Sequence, residues 1–320
     1  MTTQTKQITI YLWIAESKQK TLFNNPPKQY EITKENIHFT FILSSELPTI
    51  EPDLIITKRV KPTGEQAEQM KQYEKDHPNV PFWESSEMHD ILNDRQRTNE
   101  IMTKHNINMP PSFHVSSKQQ LLNLIETNKL PYPIIVKRIN AQGTFDAHQM
   151  KILLEKEGVE EVEYPCLCQQ YVNHDNKIMK IFTIGDHFIY ETRTSLPNIN
   201  RTGVVSLDFN NQRLTDLLNW PDGVIDKTTI DVSNPTRFGN VVLGDSIQLG
   251  MTTMDEMKEL VQSIRNAFGI TLVGIDFIKE NSTGKPLIID LNIFPSYGGK
   301  IEMDWFCNHI ANHYIKVFLK

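Results

Sequence analysis

The chain has 320 residues, 39% hydrophobic and 22% charged, with a formal net charge of −6. That length supports two or three domains with well-developed cores, and the acidic balance argues against a general nucleic-acid binder. No apolar run approaches the roughly eighteen residues that span a bilayer, and MTTQTKQITIYLWIAE lacks the basic start and small-residue cleavage site of a signal peptide.

Residues 7–15, QITIYLWIA, predict a buried strand running into Glu16-Ser17-Lys18. A second strand, Asp53-Leu54-Ile55-Ile56-Thr57, runs into Lys58-Arg59-Val60-Lys61. Short continuous apolar runs fit parallel strands, and open α/β sheets place ligands beyond the carboxyl ends of such strands. Both basic clusters stand there, although a lysine-rich surface loop reads the same way. Thr63, with Gln66 three residues on, predicts the start of a helix that ends near His77-Pro78. Residues 83–93 read as a linker, with a domain boundary near 90.

Asp94-Arg95-Gln96-Arg97 opens a helix to about His105, and Ser117-Lys118-Gln119-Gln120 caps another with Leu121, Leu122 and Ile125 as its stripe. Tyr132–Arg138 predicts a strand carrying Lys137 in an apolar setting. An unpaired buried ammonium is costly, so this lysine must reach an anion or water. The small, polar run Asn140–His148 suggests a loop able to cover phosphates. Pro165–His174 is a strand leading out of this unit. Its Cys166 and Cys168, with Cys307, cannot build a disulfide framework, so a reduced, cytoplasmic setting is expected. Lys177–Ile184 and His187–Arg193 predict a hairpin about Gly185-Asp186. Its register sets Lys180 opposite Glu191, where a cross-strand ion pair is one reading of the lysine. Residues 196–250 carry no legible chemistry. Met251–Gly269 is a helix capped by Thr253–Glu256, with Met257, Leu260, Val261, Ile264 and Phe268 inward. A closing helix at 301–319 turns Ile301, Trp305, Ile310, Tyr314 and Phe318 inward.

The densest chemistry lies at 272–299, LVGIDFIKENSTGKPLIIDLNIFPSYGG. Two strands, 272–278 and 286–292, flank an Asn-Ser-Thr-Gly turn. Val273, Ile275 and Phe277 share one face, leaving Gly274 and Asp276 on the other; Leu287, Ile289 and Leu291 alternate with Ile288, Asp290 and Asn292. In an antiparallel pair centred on residue 283, Asp276 and Asp290 face each other. Like charges so placed repel, and two carboxylates with one amide carbonyl suit Mg²⁺. A solvated polar face is the plain alternative. Gly298 and Gly299 after Pro295 would let backbone approach a ligand closely.

Gly274-Ile275-Asp276 and Asp290-Leu291-Asn292-Ile293-Phe294-Pro295 resemble the carboxy-terminal metal motif of the ATP-grasp superfamily. Within it they look most like the inositol 1,3,4-trisphosphate 5/6-kinases, also called inositol-tetrakisphosphate 1-kinases. Asp-x-Asn, where most ATP-grasp ligases carry Glu-x-Asn, favours that branch. The resemblance implies an ATP-grasp fold of α/β (α+β) class. A Rossmann-like α/β substrate domain at 1–90 would precede a central domain at 91–172 and a C-terminal domain at 173–320. It implies Mg²⁺, as two ions, on Asp276, Asp290 and Asn292, and ATP between the last two domains. Arg95, Lys137, Lys180 and Ser195 would meet the nucleotide, and Gln169, Gln170, Tyr171 and Val172 its adenine edge. Lys18, Lys58, His148, Lys180, Asn292 and Ser296 would hold an inositol polyphosphate. Lys180, Asp276 and Asp290 would act at the transferred phosphoryl group.

The implied activity is transfer of the γ-phosphoryl group of ATP to a ring hydroxyl of an inositol tris- or tetrakisphosphate, by a cytoplasmic monomer with neither nucleic-acid partner nor membrane insertion. The rival within the fold is a carboxylate–amine ligase making an acyl phosphate, which leaves Lys18 and Lys58 without a partner. A non-catalytic inositol phosphate binder fits poorly with an intact metal triad, and a structural protein leaves the paired acids unexplained.

Overall fold

The apolar runs at the ends of the chain and the alternating runs in its middle build three separate five-stranded sheets. The computed structural model describes residues 5–23, 25–59, 64–141, 148–200, 203–210, 214–229, 241–242, 252–297 and 301–320. The first sheet has the order β2-β3-β1-β4-β5. Its strands are β1 (Lys6–Ile14), β2 (Gln29–Lys34), β3 (Ile37–Ser44), β4 (Leu54–Lys58) and β5 (Phe82–Trp83). β1 lies parallel to both β3 and β4, as its continuous apolar run predicts. The β2–β3 hairpin was not anticipated: Glu35 and Asn36 turn it with φ of 48° and 61°, a conformation Asn tolerates.

Helix α1 (Glu16–Leu22) follows β1, and α2 (Glu65–Asp76) follows β4. The expected Thr63 cap lies outside the described residues. Where a linker was expected, Ser85 caps α3 (Ser86–Asn93) by accepting from the Met88 N–H at 3.3 Å. Asp94 then caps α4 (Arg95–Lys104), its carboxylate accepting from Gln96 and Arg97 N–H groups.

The central sheet has the order β12-β8-β7-β9-β6. It comprises β6 (Ser112–Val115), β7 (Ile134–Arg138), β8 (Gln149–Leu153), β9 (Cys166–Gln170) and β12 (Ser206–Asn210), with α5 (Lys118–Glu126) between β6 and β7. β12 pairs antiparallel with β8. The stretch expected to form the third unit, 173–320, therefore lends a strand to the second.

The last sheet, β13-β11-β10-β14-β15, is antiparallel throughout. Its strands are β10 (Lys177–Ile184), β11 (His187–Thr194), β13 (Val241–Val242), β14 (Val273–Lys279) and β15 (Pro286–Ile293). Helix α6 (Met254–Phe268) supports it, with the Thr253–Glu256 capping box formed and Gly269 left-handed at its end. Helix α7 (Met303–Tyr314) closes the chain and runs into a π-helical turn, Ile315–Leu319. Phe318 is 40% exposed rather than inward, and it stacks on Trp83 with ring centroids 6.3 Å apart.

One apolar core joins the first and last sheets: Ile10, Phe41 and Ile56 belong to the same cluster as Ile181, Ile275 and Phe306. The central sheet has its own cores on its two faces. The packing thus makes one body of the first and last sheets and leaves the central sheet facing it.

Candidate functional site

The β14–β15 hairpin sets Asp276 opposite Asp290 and Gly274 opposite Asn292, the register the sequence predicts. Past Asp276 a β-bulge shifts the ladder, so Phe277 pairs with Ile288 and not with Ile289. Ile288 therefore turns into the core, where alternation had placed Ile289. Gly274 is required for close approach: a Cβ there would meet the Cβ atoms of Pro295 and Asn292 at 3.2 and 3.4 Å. Asp276 is buried, and its Oδ2 accepts from Lys180 Nζ at 2.6 Å. Its Oδ1 is buried without a hydrogen-bond partner among the described residues. Burial raises the Asp276 pKa; the Lys180 ammonium pulls it back and the Asp290 carboxylate pushes it further up. Among the described residues no cluster of three His, Cys, Asp or Glu side chains forms a metal group. Asp276, Asp290 and the Asn292 amide instead form an all-oxygen set with one unused buried oxygen. Such a set fits a hard cation.

Across a cleft stand Arg95, Lys137 and Gln169, with Asp290 on the near wall. Lys137, on β7, is buried; its Nζ donates to Gln169 Oε1 at 2.7 Å and to the Ile289 carbonyl at 3.2 Å. The bulge at Ile289 therefore presents an acceptor to this lysine. Burial lowers the Lys137 pKa to about 8, with Asp290 opposing that shift and Arg95 adding to it. Arg95 opens α4 and donates to the carbonyls of Arg138 and Asn140 at 2.7 and 3.1 Å. Burial lowers its pKa, and Asp290 counteracts this.

The stretch expected at the adenine edge is largely engaged within the protein. Gln170 and Tyr171 N–H groups donate to the carbonyls of Pro111 and Pro133, each at 2.8 Å. The Val172 carbonyl accepts from His174 Nδ1 at 2.6 Å, which leaves Nε2 to accept from the Ser195 hydroxyl at 2.8 Å. Ser195 thus anchors a buried histidine, whose pKa burial lowers.

The basic strand ends also reach this region. Lys58 ends β4, is buried, and donates to the Phe294 carbonyl; its ammonium lies 5.1 Å from the centroid of the Phe294 ring. Burial, then the neighbouring Lys18 charge, lowers its pKa to about 7. Lys18 is half-buried on α1. Arg59 turns the other way, pairing with Asp90 at 2.9 Å. Ser296 is half-buried between Phe294 and Tyr297, whose φ values of 38° and 47° are left-handed. Leu272 O and Thr183 O hold those two residues, accepting from Phe294 N–H and Tyr297 O–H at 2.8 Å each. Strained backbone fixed in this way marks a segment whose conformation is imposed by its surroundings. His148 immediately precedes β8 and is half-buried; residues 142–147 of its loop lie outside the described residues.

Two features carry no legible sequence signal. Glu84, itself left-handed at φ 59°, sends Oε1 to accept from Thr271 and Leu272 N–H at 2.9 and 2.7 Å, directly before β14. The other is the choice Lys180 makes: the Lys180–Glu191 ion pair, one of the two readings of that register, is not formed, because Lys180 goes to Asp276 and Glu191 pairs with Arg193 on its own strand.

Comparison with known proteins agrees with this layout. Residues 101–315 match the model of the inositol 1,3,4-trisphosphate 5/6-kinase ATP-grasp domain, and residues 5–92 that of the inositol-tetrakisphosphate 1-kinase pre-ATP-grasp domain. An inositol-tetrakisphosphate 1-kinase of Xenopus laevis is 27% identical over 224 residues, covering 68% of this chain and 51% of that protein. Inositol-tetrakisphosphate 1-kinase 1 of Arabidopsis thaliana is 23% identical over 239 residues, covering 72% of each. The match thus spans about half the length of the Xenopus relative. The structure of a D-alanine–D-alanine ligase from Bacillus anthracis complexed with ATP covers 98% of each chain at a TM-score of 0.54 and 12% identity, a likeness of fold. With most of its length matched by the two models, the chain belongs to the inositol 1,3,4-trisphosphate 5/6-kinase family and has the ATP-grasp fold.

Proposed function

We propose that the protein is an Mg-ATP-dependent inositol polyphosphate kinase of the inositol 1,3,4-trisphosphate 5/6-kinase and inositol 3,4,5,6-tetrakisphosphate 1-kinase type. The observation that carries this reading is the facing pair Asp276 and Asp290, with an unused buried oxygen, opposite the buried cation Lys137. Asp276, Asp290 and Asn292 would hold Mg²⁺, as two ions. Bound there, the metal would neutralise charge on the transferred phosphoryl group. Lys137 and Arg95 stand where they can bind nucleotide phosphates, and their burial strengthens that attraction. Lys58 and Lys18, with Ser296 and His148, offer the polar surroundings a phosphorylated ring requires. Catalysis then rests on positioning and electrostatics, with Lys180 and the two acids at the reacting group. The same reading takes the enzyme as a cytoplasmic monomer; no described helix is long and apolar enough to cross a membrane.

The test is incubation with Mg·ATP and a panel of inositol tris- and tetrakisphosphates, resolving products by chromatography, beside Asp290→Ala. A new phosphorylated product, lost in the variant, is expected. Consumption of ATP only with a carboxylate and an amine would replace the kinase by a ligase.

A further inference from the structure

The last sheet carries a straight row of charges, one residue per strand. Glu191 on β11 faces Lys180 on β10, Lys180 faces Asp276 on β14, and Asp276 faces Asp290 on β15. Directly opposed residues share a face, with Cβ atoms about 5 Å apart. Lys180 is therefore flanked by a carboxylate on each side. Its ammonium sits on Asp276 Oδ2 at 2.6 Å, while Glu191, 1% exposed, is held by Arg193. Beyond that ion pair the Glu191 carboxylate accepts no hydrogen bond among the described residues. It has lone pairs to offer a second cation.

Lys180 and a metal ion place the same demand on Asp276, since both need its carboxylate oxygens. A lysine displaced from Asp276 with no other acid in reach would be left half-buried and unpaired, which is unfavourable. The register supplies that other acid. We propose that Glu191 is a positioning residue: it receives Lys180 when a divalent cation occupies Asp276, and so sets how readily the metal binds. The proposal rests on the metal reading of Asp276, Asp290 and Asn292. It goes further by assigning a role to a residue that touches neither metal nor substrate.

The test is a double-mutant cycle read by Mn²⁺ binding, without nucleotide, from the electron paramagnetic resonance signal of free Mn²⁺ over the full chain. Lys180→Met removes the competitor and is expected to tighten Mn²⁺ binding about fivefold. Glu191→Gln removes the receiving acid and should weaken it by a similar factor. In the Lys180→Met background, Glu191→Gln should change the affinity less than twofold, since no lysine remains to be received. If Glu191→Gln weakens binding equally in both backgrounds, Glu191 acts only through its own charge and the proposal fails. If wild type takes up no Mn²⁺, or takes it up equally as Asp290→Asn, the metal reading itself fails. Glu191→Gln breaks the Glu191–Arg193 ion pair; should circular dichroism show it unfolded, the cycle is run in an Arg193→Met background, with the same outcomes deciding.

Discussion

Lys58, the last residue of β4, donates its ammonium to the carbonyl of Phe294, two residues beyond Asn292. The end of β4 is thereby tied to the strand that carries Asp290 and Asn292, so the proposed substrate and metal sites share this contact. Burial and the Lys18 charge hold the Lys58 pKa down to about 7. A bound polyanion favours the charged form and pulls that pKa back up. At pH 8 the free amine is mostly neutral, so binding inositol 1,3,4-trisphosphate is expected to take up close to one proton at this site, about 0.9 by simple titration. At pH 6 the group is mostly charged already and the uptake falls to about 0.1. Calorimetry in two buffers of different ionisation enthalpy measures this, and Lys58→Met should abolish the pH 8 uptake. Equal uptake in the variant would assign the proton elsewhere.

Gly274→Ala tests the close approach within the hairpin. The new Cβ meets Pro295, a rigid ring, at 3.2 Å and Asn292 at 3.4 Å. Neither neighbour can rotate away, so β15 must shift by a few tenths of an ångström. We expect a stability loss of about 1–2 kcal/mol together with roughly tenfold weaker Mn²⁺ binding, equivalent to about 1.4 kcal/mol. Unchanged Mn²⁺ binding would show that the spacing of Gly274 and Asn292 is uncritical.

Glu84 bears on stability against pH. Burial raises its pKa to about 7, opposed by the N–H groups of Leu272 and Thr271. A carboxyl with a folded pKa above its unfolded value stabilises fully below about 4.5, and that contribution is lost as pH rises toward 7. Glu84→Gln mimics the protonated form and removes this dependence. Melting temperatures from pH 5 to pH 8 should fall further in wild type than in the variant. Parallel curves would mean that the carboxyl ionises alike in the folded and unfolded chain.

Gly185→Ala addresses the β10–β11 turn. Its φ is 59°, and a Cβ would stand 2.2 Å from the His313 ring on α7. The clash adds to the cost of a left-handed alanine, so a loss of about 2 kcal/mol or more is expected by denaturant titration. A loss below about 0.5 kcal/mol would mean that α7 yields freely.

Much of this was legible from periodicity. The Asp276–Asp290 opposition follows from counting about residue 283, and the α6 boundaries from Thr253, Glu256 and Gly269, because caps and ladders are local. What could not be read depends on distant partners. Counting cannot foresee a bulge that turns Ile288 inward, nor that Lys180, with acids on both sides, chooses Asp276 because Arg193 already holds Glu191. The resemblance points Ser195 to the nucleotide, and no local pattern shows that its hydroxyl also meets His174 on the neighbouring crossover. The return of β12 to the central sheet lay in a stretch whose alternation is too short to distinguish one sheet from another.

That return sets the crossover from β9 out to β10 beside the one from β11 back to β12, both running between the central sheet and the body facing it. The outgoing and returning segments are stitched side by side. Tyr171 O–H donates to the Pro197 carbonyl at 2.7 Å, Ile199 N–H to Asn173 Oδ1 at 3.0 Å, and His174 and Asp175 N–H both to Asn198 Oδ1 at 3.0 Å. Fastened to each other, the two segments resist twisting independently, so these hydrogen bonds constrain how the central sheet can move against the body.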